Sequence, residues 1–201
     1  MKTQQQSLHK IYLSNYRIVD ACGSILVDTP EILEFFDKLS ANIADIDTIY
    51  IVDMDGFDEG TPQLDLLSEI SDMLSIWVEA NSKNVDDVSD ILVAGADIAV
   101  LNLKNLALDE IQKICEETQS VAFLIDDVNP EREKLDYLTK LAREEKCEVI
   151  LRCAGEIPSF LENYLKEIPV YLDGCGMVDV DLRWKKINIA GTIKELDLDG
   201  V

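Results

Sequence analysis

A short apolar run that ends in carboxylates and glycine constrains the fold of this chain most strongly. Residues 48–53 read Thr-Ile-Tyr-Ile-Val-Asp, and Met-Asp-Gly follows at 54–56. The run does not alternate between polar and apolar residues, which is typical of a parallel strand buried on both faces. In parallel α/β folds, ligands bind at the carboxyl ends of the strands. Asp53 and Asp55 are therefore predicted to lie on the functional face.

Similar apolar runs alternate with amphipathic segments along the rest of the chain. Counting a first strand near Asp20, the sequence contains eight strands with helices between them, which is the pattern of a (β/α)8 barrel. We therefore predict an α/β fold, a compact TIM barrel. The length of 201 residues is below the usual figure of about 250, which predicts trimmed loops. A doubly wound open sheet is the alternative.

One domain is expected over residues 1–201, because the chain carries no segment resembling a linker. Residues 1–16 are predicted to be an N-terminal extension of the barrel. The sequence leaves open whether this extension adds a strand or closes the bottom of the barrel.

The charge balance excludes several classes of partner. The chain has 40 acidic and 18 basic residues, a net charge of −22, and such a field repels nucleic acid and anionic lipid. No run of about 18 apolar residues is present that would cross a membrane. We therefore expect a cytoplasmic protein that binds neither nucleic acid nor membrane, and whose ligand is a small molecule.

Cysteine and histidine usage argues against a metal or a redox cofactor. The five cysteines are an odd number without a Cys-x-x-Cys pair, which favours buried thiols in a reducing compartment. The only histidine, His9, lies in the predicted extension. The carboxylates of Asp53, Asp55, Asp58 and Glu59 could hold a divalent metal, but carboxylates beside glycine are more often loop caps. We predict no metal and no cofactor.

Four segments carry a resemblance to a known family. Residues 51–56, followed by Gly60 and Pro62, resemble the second βα unit of the phosphoribosylformimino-5-aminoimidazole carboxamide ribotide isomerases of histidine biosynthesis, or proFAR isomerases. Residues 84–97 are similar to helix three of that family, residues 172–176 to its strand-seven turn, and residues 187–195 to its strand eight. The resemblance implies a barrel of the ribulose-phosphate-binding type and suggests an archaeal branch of the family.

The resemblance also implies a reaction. These isomerases convert an aminoaldose to an aminoketose, which needs an acid and a base on opposite sides of the sugar. The matching carboxylates at the ends of strands one and five are Asp20 and Asp126. Two alternatives stay open: Asp20 is a turn residue near Gly23, or Asp127 replaces Asp126, since successive strand residues face opposite ways.

The remaining site residues follow from their positions at strand ends. Substrate contacts are assigned to Asp53, Asp55, Glu79, Asn102 and Arg152. The resemblance implies a phosphate pocket made of backbone N–H groups at Gly174, Gly176, Gly191 and Thr192. These glycines could also simply make tight turns.

Two departures from the family restrict the substrate. The second phosphate site of the family is replaced by residues 79–84, which begin with a glutamate, so a ligand with at most one phosphate is expected. The long first loop, which covers the substrate in the family, is predicted to be missing because Gly23 leads almost directly to Pro30.

Two functions are compatible with these features. The first is an isomerase-like barrel enzyme that acts on a monophosphorylated sugar or ribotide-like intermediate, by acid/base catalysis with two aspartates. The alternative is a non-catalytic metabolite-binding or scaffold barrel descended from proFAR isomerase. The sequence does not predict the oligomeric state.

Overall fold

A computed structural model describes residues 6–42, 48–126, 130–152, 159–174 and 189–196. The strands are β1 (Gln6–Ser14), β2 (Arg17–Val19), β3 (Ile25–Val27), β4 (Thr48–Asp53), β5 (Ser75–Glu79), β6 (Ile98–Asn102), β7 (Val121–Ile125), β8 (Glu148–Arg152), β9 (Val170–Asp173) and β10 (Ile189–Glu195). The helices are α1 (Ile32–Asn42), α2 (Met54–Asp58), α3 (Leu64–Ser71), α4 (Val85–Val93), α5 (Leu108–Glu117), α6 (Arg132–Arg143) and α7 (Ser159–Leu165). Short 3₁₀ turns span Thr29–Glu31 and Leu103–Asn105.

The predicted (β/α)8 barrel is confirmed by the order of the strands. The hydrogen-bonded order is β10-β9-β8-β7-β6-β5-β4-β1-β2-β3, and β10 additionally pairs with β1. The eight strands β1 and β4 to β10 therefore form the parallel barrel, while β2 and β3 extend from it. The pairing of β10 with β1 rules out the open-sheet alternative.

The first barrel strand lies earlier in the chain than predicted. Residues 6–14, assigned above to an N-terminal extension, form β1, which runs parallel to β4 with Leu13 opposite Asp53. The strand near Asp20 is β2, which is antiparallel to β1. The pattern concealed β1 because His9 and Lys10 interrupt its apolar residues. Lys10 is nevertheless buried, with its ammonium 5.6 Å from the centre of the Tyr12 ring.

The chain divides into two compact units, which are described separately. The N-terminal unit comprises Leu8–Val100 and Glu195–Val201. Its core is formed by apolar residues that are fully buried on β4, α1 and α3, such as Ile51, Phe36 and Leu67. Complete burial of such a side chain is worth about 1.5–3 kcal/mol.

Close packing in this unit requires a glycine in α2. A Cβ placed on Gly56 would lie 2.6 Å from the carbonyl oxygen of Ala80, just beyond the end of β5. The glycine of the Met-Asp-Gly sequence thus lets α2 approach that backbone.

The C-terminal unit comprises Met1–Ser7 and Leu101–Lys194. Every residue of β7 is buried, and α6 buries Leu135, Leu138 and Leu141 on one face. Apart from Lys134, the charged residues of α6 are exposed. The helix therefore has one apolar face and one polar face, which matches the helical spacing of its leucines.

The three cysteines in the described residues differ in exposure. Cys22 is exposed, Cys115 is half-buried and Cys147 is buried, and all three are free thiols. Burial raises the pKa of Cys115 to about 11 and that of Cys147 to about 12. These two thiols are therefore protonated at neutral pH, as expected for packing residues, whereas Cys22 departs from the expectation of burial.

Candidate functional site

Six successive barrel strands end in, or immediately before, a polar residue. These residues are Asp53 of β4, Glu79 of β5, Asn102 of β6, Asp126 directly after β7, Arg152 of β8 and Asp173 of β9. The carboxyl ends of barrel strands are where TIM-barrel enzymes bind their substrates. The sites formed in each unit are considered in turn.

In the N-terminal unit, Asp53 is fully buried and acts as a helix cap. Its Oδ1 accepts hydrogen bonds from the backbone nitrogens of Asp55 (3.1 Å) and Gly56 (3.3 Å), at the start of α2. Its Oδ2 accepts a bond of 2.7 Å from the backbone nitrogen of Gln63. Burial raises the pKa of Asp53, although the bonds from Gln63 and Gly56 oppose this shift.

Asp55 holds the turn between β1 and β2. Its two carboxylate oxygens accept bonds of 3.2 and 3.0 Å from the backbone nitrogen of Asn15, and one also accepts the hydroxyl of Ser14. The adjacent nitrogen of Tyr16 donates to Oε1 of Gln63 at 2.6 Å. Asn15 and Tyr16 both have positive φ angles, as a two-residue type I′ hairpin turn requires. The roles of Asp53 and Asp55 in substrate contact stay predictions; their observed contacts stabilise the loops.

Glu79 forms a buried pair with Tyr50. The Tyr50 hydroxyl donates to Oε2 of Glu79 at 2.6 Å, and both side chains are almost inaccessible. The registers of β1, β4 and β5 set Lys10 opposite Tyr50 and Val52 opposite Glu79, so the three polar residues share one face of the sheet. Neither Lys10 nor Tyr50 was predicted as a site residue, because Lys10 lies in the segment assigned to an N-terminal extension and Tyr50 lies in the apolar run of β4.

Asp20 lies in the hairpin turn between β2 and β3. Its Oδ1 accepts bonds of 2.8 Å from the backbone nitrogens of both Cys22 and Ser24. These bonds lower the pKa of Asp20. This geometry matches the turn alternative, and a lowered pKa makes the carboxylate a weaker base.

The hairpin also changes the interpretation of the first loop. Because β1 ends at Ser14 and α1 begins at Ile32, β2 and β3 both lie between the first barrel strand and the first helix. The prediction of a missing first loop is therefore wrong. It depended on placing strand one at Asp20.

In the C-terminal unit, Asn102 and Asp126 are joined by a short hydrogen bond. The Asn102 Nδ2 donates to Oδ2 of Asp126 at 2.6 Å, while its Oδ1 accepts from the backbone nitrogen of Lys104 at 3.0 Å. The second bond fixes which end of the amide faces the carboxylate. Asp126 is exposed, so its carboxylate is accessible to a ligand. Asp127, the alternative, lies outside the described residues.

Arg152 and Asp173 form the second polar pair of this unit. They lie directly opposite each other on β8 and β9, and Nε of Arg152 is 2.7 Å from Oδ2 of Asp173. The Asp173 side chain is 1% exposed and that of Arg152 is 33% exposed. A buried carboxylate thus orients a guanidinium that still reaches solvent. Asp173 is not among the residues predicted from the sequence, although its position at the end of a strand could have indicated it.

The register of β7 and β8 relates Asp126 of the first pair to Arg152 of the second. Leu124 lies opposite Ile150 on β7 and β8, and Asp126 and Arg152 each follow by two residues. Because side chains alternate between the faces of a strand, Asp126 and Arg152 extend from one face of neighbouring strands.

The predicted phosphate glycines are placed differently. Gly174 directly follows β9. Gly191 and Thr192 lie within β10, paired with Tyr171 and Leu172, and not in a loop after that strand. Gly176 lies outside the described residues. A phosphate role for these residues stays a prediction.

Among the residues that the structure describes, no group of three or more His, Cys, Asp or Glu side chains is arranged to hold a metal ion. Nor does this part of the chain contain a helix that is long and apolar enough to span a membrane. The fold and these sites define a (β/α)8 barrel with polar strand ends. No protein-family model matches the chain, and no curated protein matches it significantly.

Proposed function

We propose that this chain is an isomerase-like barrel enzyme that acts on a monophosphorylated sugar or ribotide-like intermediate, with Asp126 as an acid/base carboxylate. The observation that supports this proposal is the joint position of Asp126 and Arg152 at the carboxyl ends of β7 and β8. Each is oriented by a neighbouring polar side chain.

The reaction requires one group that moves a proton and another that stabilises charge. Asp126 takes the proton from the carbon next to the carbonyl group, and the electron pair forms an enediolate. The carboxylic acid, whose proton exchanges with solvent because Asp126 is exposed, then protonates the former carbonyl carbon. The hydroxyl proton on the neighbouring carbon passes to the former carbonyl oxygen, and the neighbouring carbon becomes the new carbonyl group. General acid/base catalysis of this kind contributes about 10²–10⁴-fold to a rate.

Arg152 is suited to stabilise the enediolate oxygen. Its guanidinium is positively charged and partly accessible, and Asp173 fixes its orientation before a ligand arrives. Preorganised positive charge at the developing oxyanion lowers the barrier because little reorganisation is needed during the reaction. In a chain of net charge −22, such a local cation also offsets the repulsion of an anionic substrate.

The second carboxylate of the mechanism stays a prediction from the sequence. Asp20 was assigned this role, but its Oδ1 accepts two backbone hydrogen bonds in a turn. We therefore assign the main acid/base role to Asp126, and Asp20→Asn becomes a test of the two-aspartate mechanism.

A non-catalytic metabolite-binding or scaffold barrel is the second candidate function. It is favoured by the use of the Asp20, Asp53 and Asp55 carboxylates as acceptors for backbone nitrogens. These three residues would then be retained for folding.

Ligand binding and turnover by the same variants distinguish the two functions. A panel of sugar monophosphates is first screened by thermal stabilisation, since a ligand at 100 times its Kd adds about 2.7 kcal/mol to the free energy of unfolding. Arg152→Lys keeps a positive charge beside the buried Asp173 but loses the planar guanidinium. Arg143→Lys, on the exposed and ion-paired Arg143 of α6, is the control.

We expect Arg152→Lys to weaken the response to the stabilising sugar phosphate, and Arg143→Lys to leave it unchanged. If the Asp126→Asn variant still binds the ligand but no longer turns it over, the result supports the enzyme function. Binding by the wild type without turnover of any stabilising ligand supports the metabolite-binding alternative.

A further inference from the structure

A small pocket lies beside the end of β7 in the C-terminal unit. It has a volume of about 120 Å³. Its lining includes two lysines, two carboxylates and apolar side chains: Leu103, Lys104, Ile125, Asp126, Glu131 and Lys134. Because Asp126 belongs to this lining, the pocket adjoins the carboxylate to which we assign proton transfer.

The unusual member of this lining is Lys134. Its side chain is only 7% exposed, although it lies on the first turn of α6. Burying an ammonium group is costly, and a hydrophobic residue of similar size at such a position is often neutral or stabilising. Packing alone therefore does not explain a lysine here.

The partner of Lys134 does not explain its burial either. Its Nζ is 2.9 Å from Oε1 of Glu131, and the Glu131 side chain is 72% exposed. An ion pair with so exposed a carboxylate contributes at most about 1 kcal/mol, and the same pair could form between two exposed side chains. Lys134 also lines the pocket, so an anionic ligand bound there would give this buried ammonium a less exposed partner than Glu131.

We propose that this pocket binds the phosphate group of the substrate, with Lys134 and Lys104 as its cationic ligands. The proposal rests on the proposed function, because it assigns the single phosphate of that substrate to this pocket in place of the glycine pocket predicted from the sequence. On binding, the phosphate replaces Glu131 as the partner of Lys134. The carbon chain of the bound substrate then extends out of the pocket past Asp126.

The size and charge of the pocket fit this group. A volume of about 120 Å³ has room for one tetrahedral phosphate group. The lining carries two lysines and two carboxylates, so both lysines are available to a phosphate dianion once Glu131 releases Lys134. Asp126 at the edge disfavours a second phosphate.

The experiment measures the binding of inorganic phosphate by thermal stabilisation and calorimetry at constant ionic strength. Sulfate and acetate are tested in parallel, as a second tetrahedral dianion and as a carboxylate. The variants are Lys134→Met and Lys104→Met. Lys113→Met is the control, because Lys113 is an exposed lysine on α5 paired with Glu110.

We expect phosphate and sulfate to stabilise the wild type and the control, and Lys134→Met to weaken phosphate binding at least tenfold. Lys104→Met should weaken it less, since Lys104 is more exposed. Lys134→Met itself should unfold at the same temperature as the wild type or higher, so a lost response is not a lost fold. A large loss of stability in Lys134→Met would overturn the proposal, because it would make Lys134 a structural residue.

Three further outcomes would also overturn it: no phosphate binding, unchanged binding in both lysine variants, or acetate binding as tight as that of phosphate. The proposed function is tested separately. If the Asp126→Asn variant keeps full turnover, the acid/base role is refuted even when the lysines bind phosphate. Conversely, if turnover depends on Asp126 but not on Lys134, the proposed enzyme function stands and only the phosphate pocket is refuted.

Discussion

Both carboxylate oxygens of Asp55 accept a hydrogen bond from the backbone nitrogen of Asn15, at 3.2 and 3.0 Å. Asp55, two residues beyond the end of β4, thereby fixes the hairpin turn that follows β1. A carboxylate that the sequence places on the functional face thus has a clear role in loop structure.

Asp55→Asn is expected to loosen this turn. An amide offers one acceptor oxygen where the carboxylate offers two, and a neutral acceptor forms weaker bonds. The free energy of unfolding should fall by about 1 kcal/mol. The Asn15 amide should also exchange faster with deuterium. Asp37→Asn, on the exposed face of α1, is the control, and unchanged protection of Asn15 would contradict the assigned contact.

Asp53→Asn should be more costly, because Asp53 is buried and accepts backbone bonds from Asp55, Gly56 and Gln63. An asparagine accepts through only one of its two terminal atoms, so at least one buried N–H group loses its partner. We expect a loss of about 1–3 kcal/mol in denaturant unfolding. The exposed Asp58→Asn should change stability far less, and equal effects of the two variants would contradict the capping role.

The pH dependence of stability provides a second test of Asp53. Burial raises the pKa of its carboxyl group above the ordinary value of 3.8, so the folded state binds this proton at higher pH than the unfolded state does. The contribution of Asp53 to the free energy of unfolding therefore falls as pH rises from the ordinary pKa through the folded one. Carboxyl NMR should give a midpoint for Asp53 above 3.8, whereas a midpoint below it would contradict the dominance of burial.

Tyr50→Phe tests the buried pair with Glu79. The change removes a hydroxyl that donates at 2.6 Å to a buried carboxylate, and loss of a donor to such a group costs about 1–3 kcal/mol. Tyr164→Phe is a matched control, since Tyr164 donates to Asp136 at 2.9 Å on the surface. Its effect should stay within about 0.5 kcal/mol of zero. Similar losses in both variants would mean that burial does not strengthen the Tyr50 contact.

The sequence predicted the barrel and its polar strand ends because both depend on local patterns. An uninterrupted apolar run that stops at a charged residue, such as the run to Asp53, indicates a buried strand and its carboxyl end together. The positions of Asn102, Asp126 and Arg152 at successive strand ends followed from the same pattern.

Features that the sequence did not predict depend on contacts between residues that are far apart in the chain. Lys10 conceals β1 because a lysine interrupts an apolar pattern, and only the pairing with β4 shows that it is buried. Asp173 looked like part of a turn until its contact with Arg152 was known. The position of Gly191 within β10 depends on the register with β9, which has an irregularity next to Gly191 that no local pattern reveals.

Isomerisation in D₂O, followed by NMR, tests directly whether Asp126 transfers the proton. A panel of aldose monophosphates that includes ribose 5-phosphate is incubated with the wild type, Asp126→Asn and Asp20→Asn. We expect the wild type to convert at least one aldose to its ketose with deuterium next to the carbonyl group, and Asp126→Asn to be at least about 100-fold slower. Full activity in Asp126→Asn, or no conversion of any sugar that stabilises the wild type, would refute the acid/base role of Asp126.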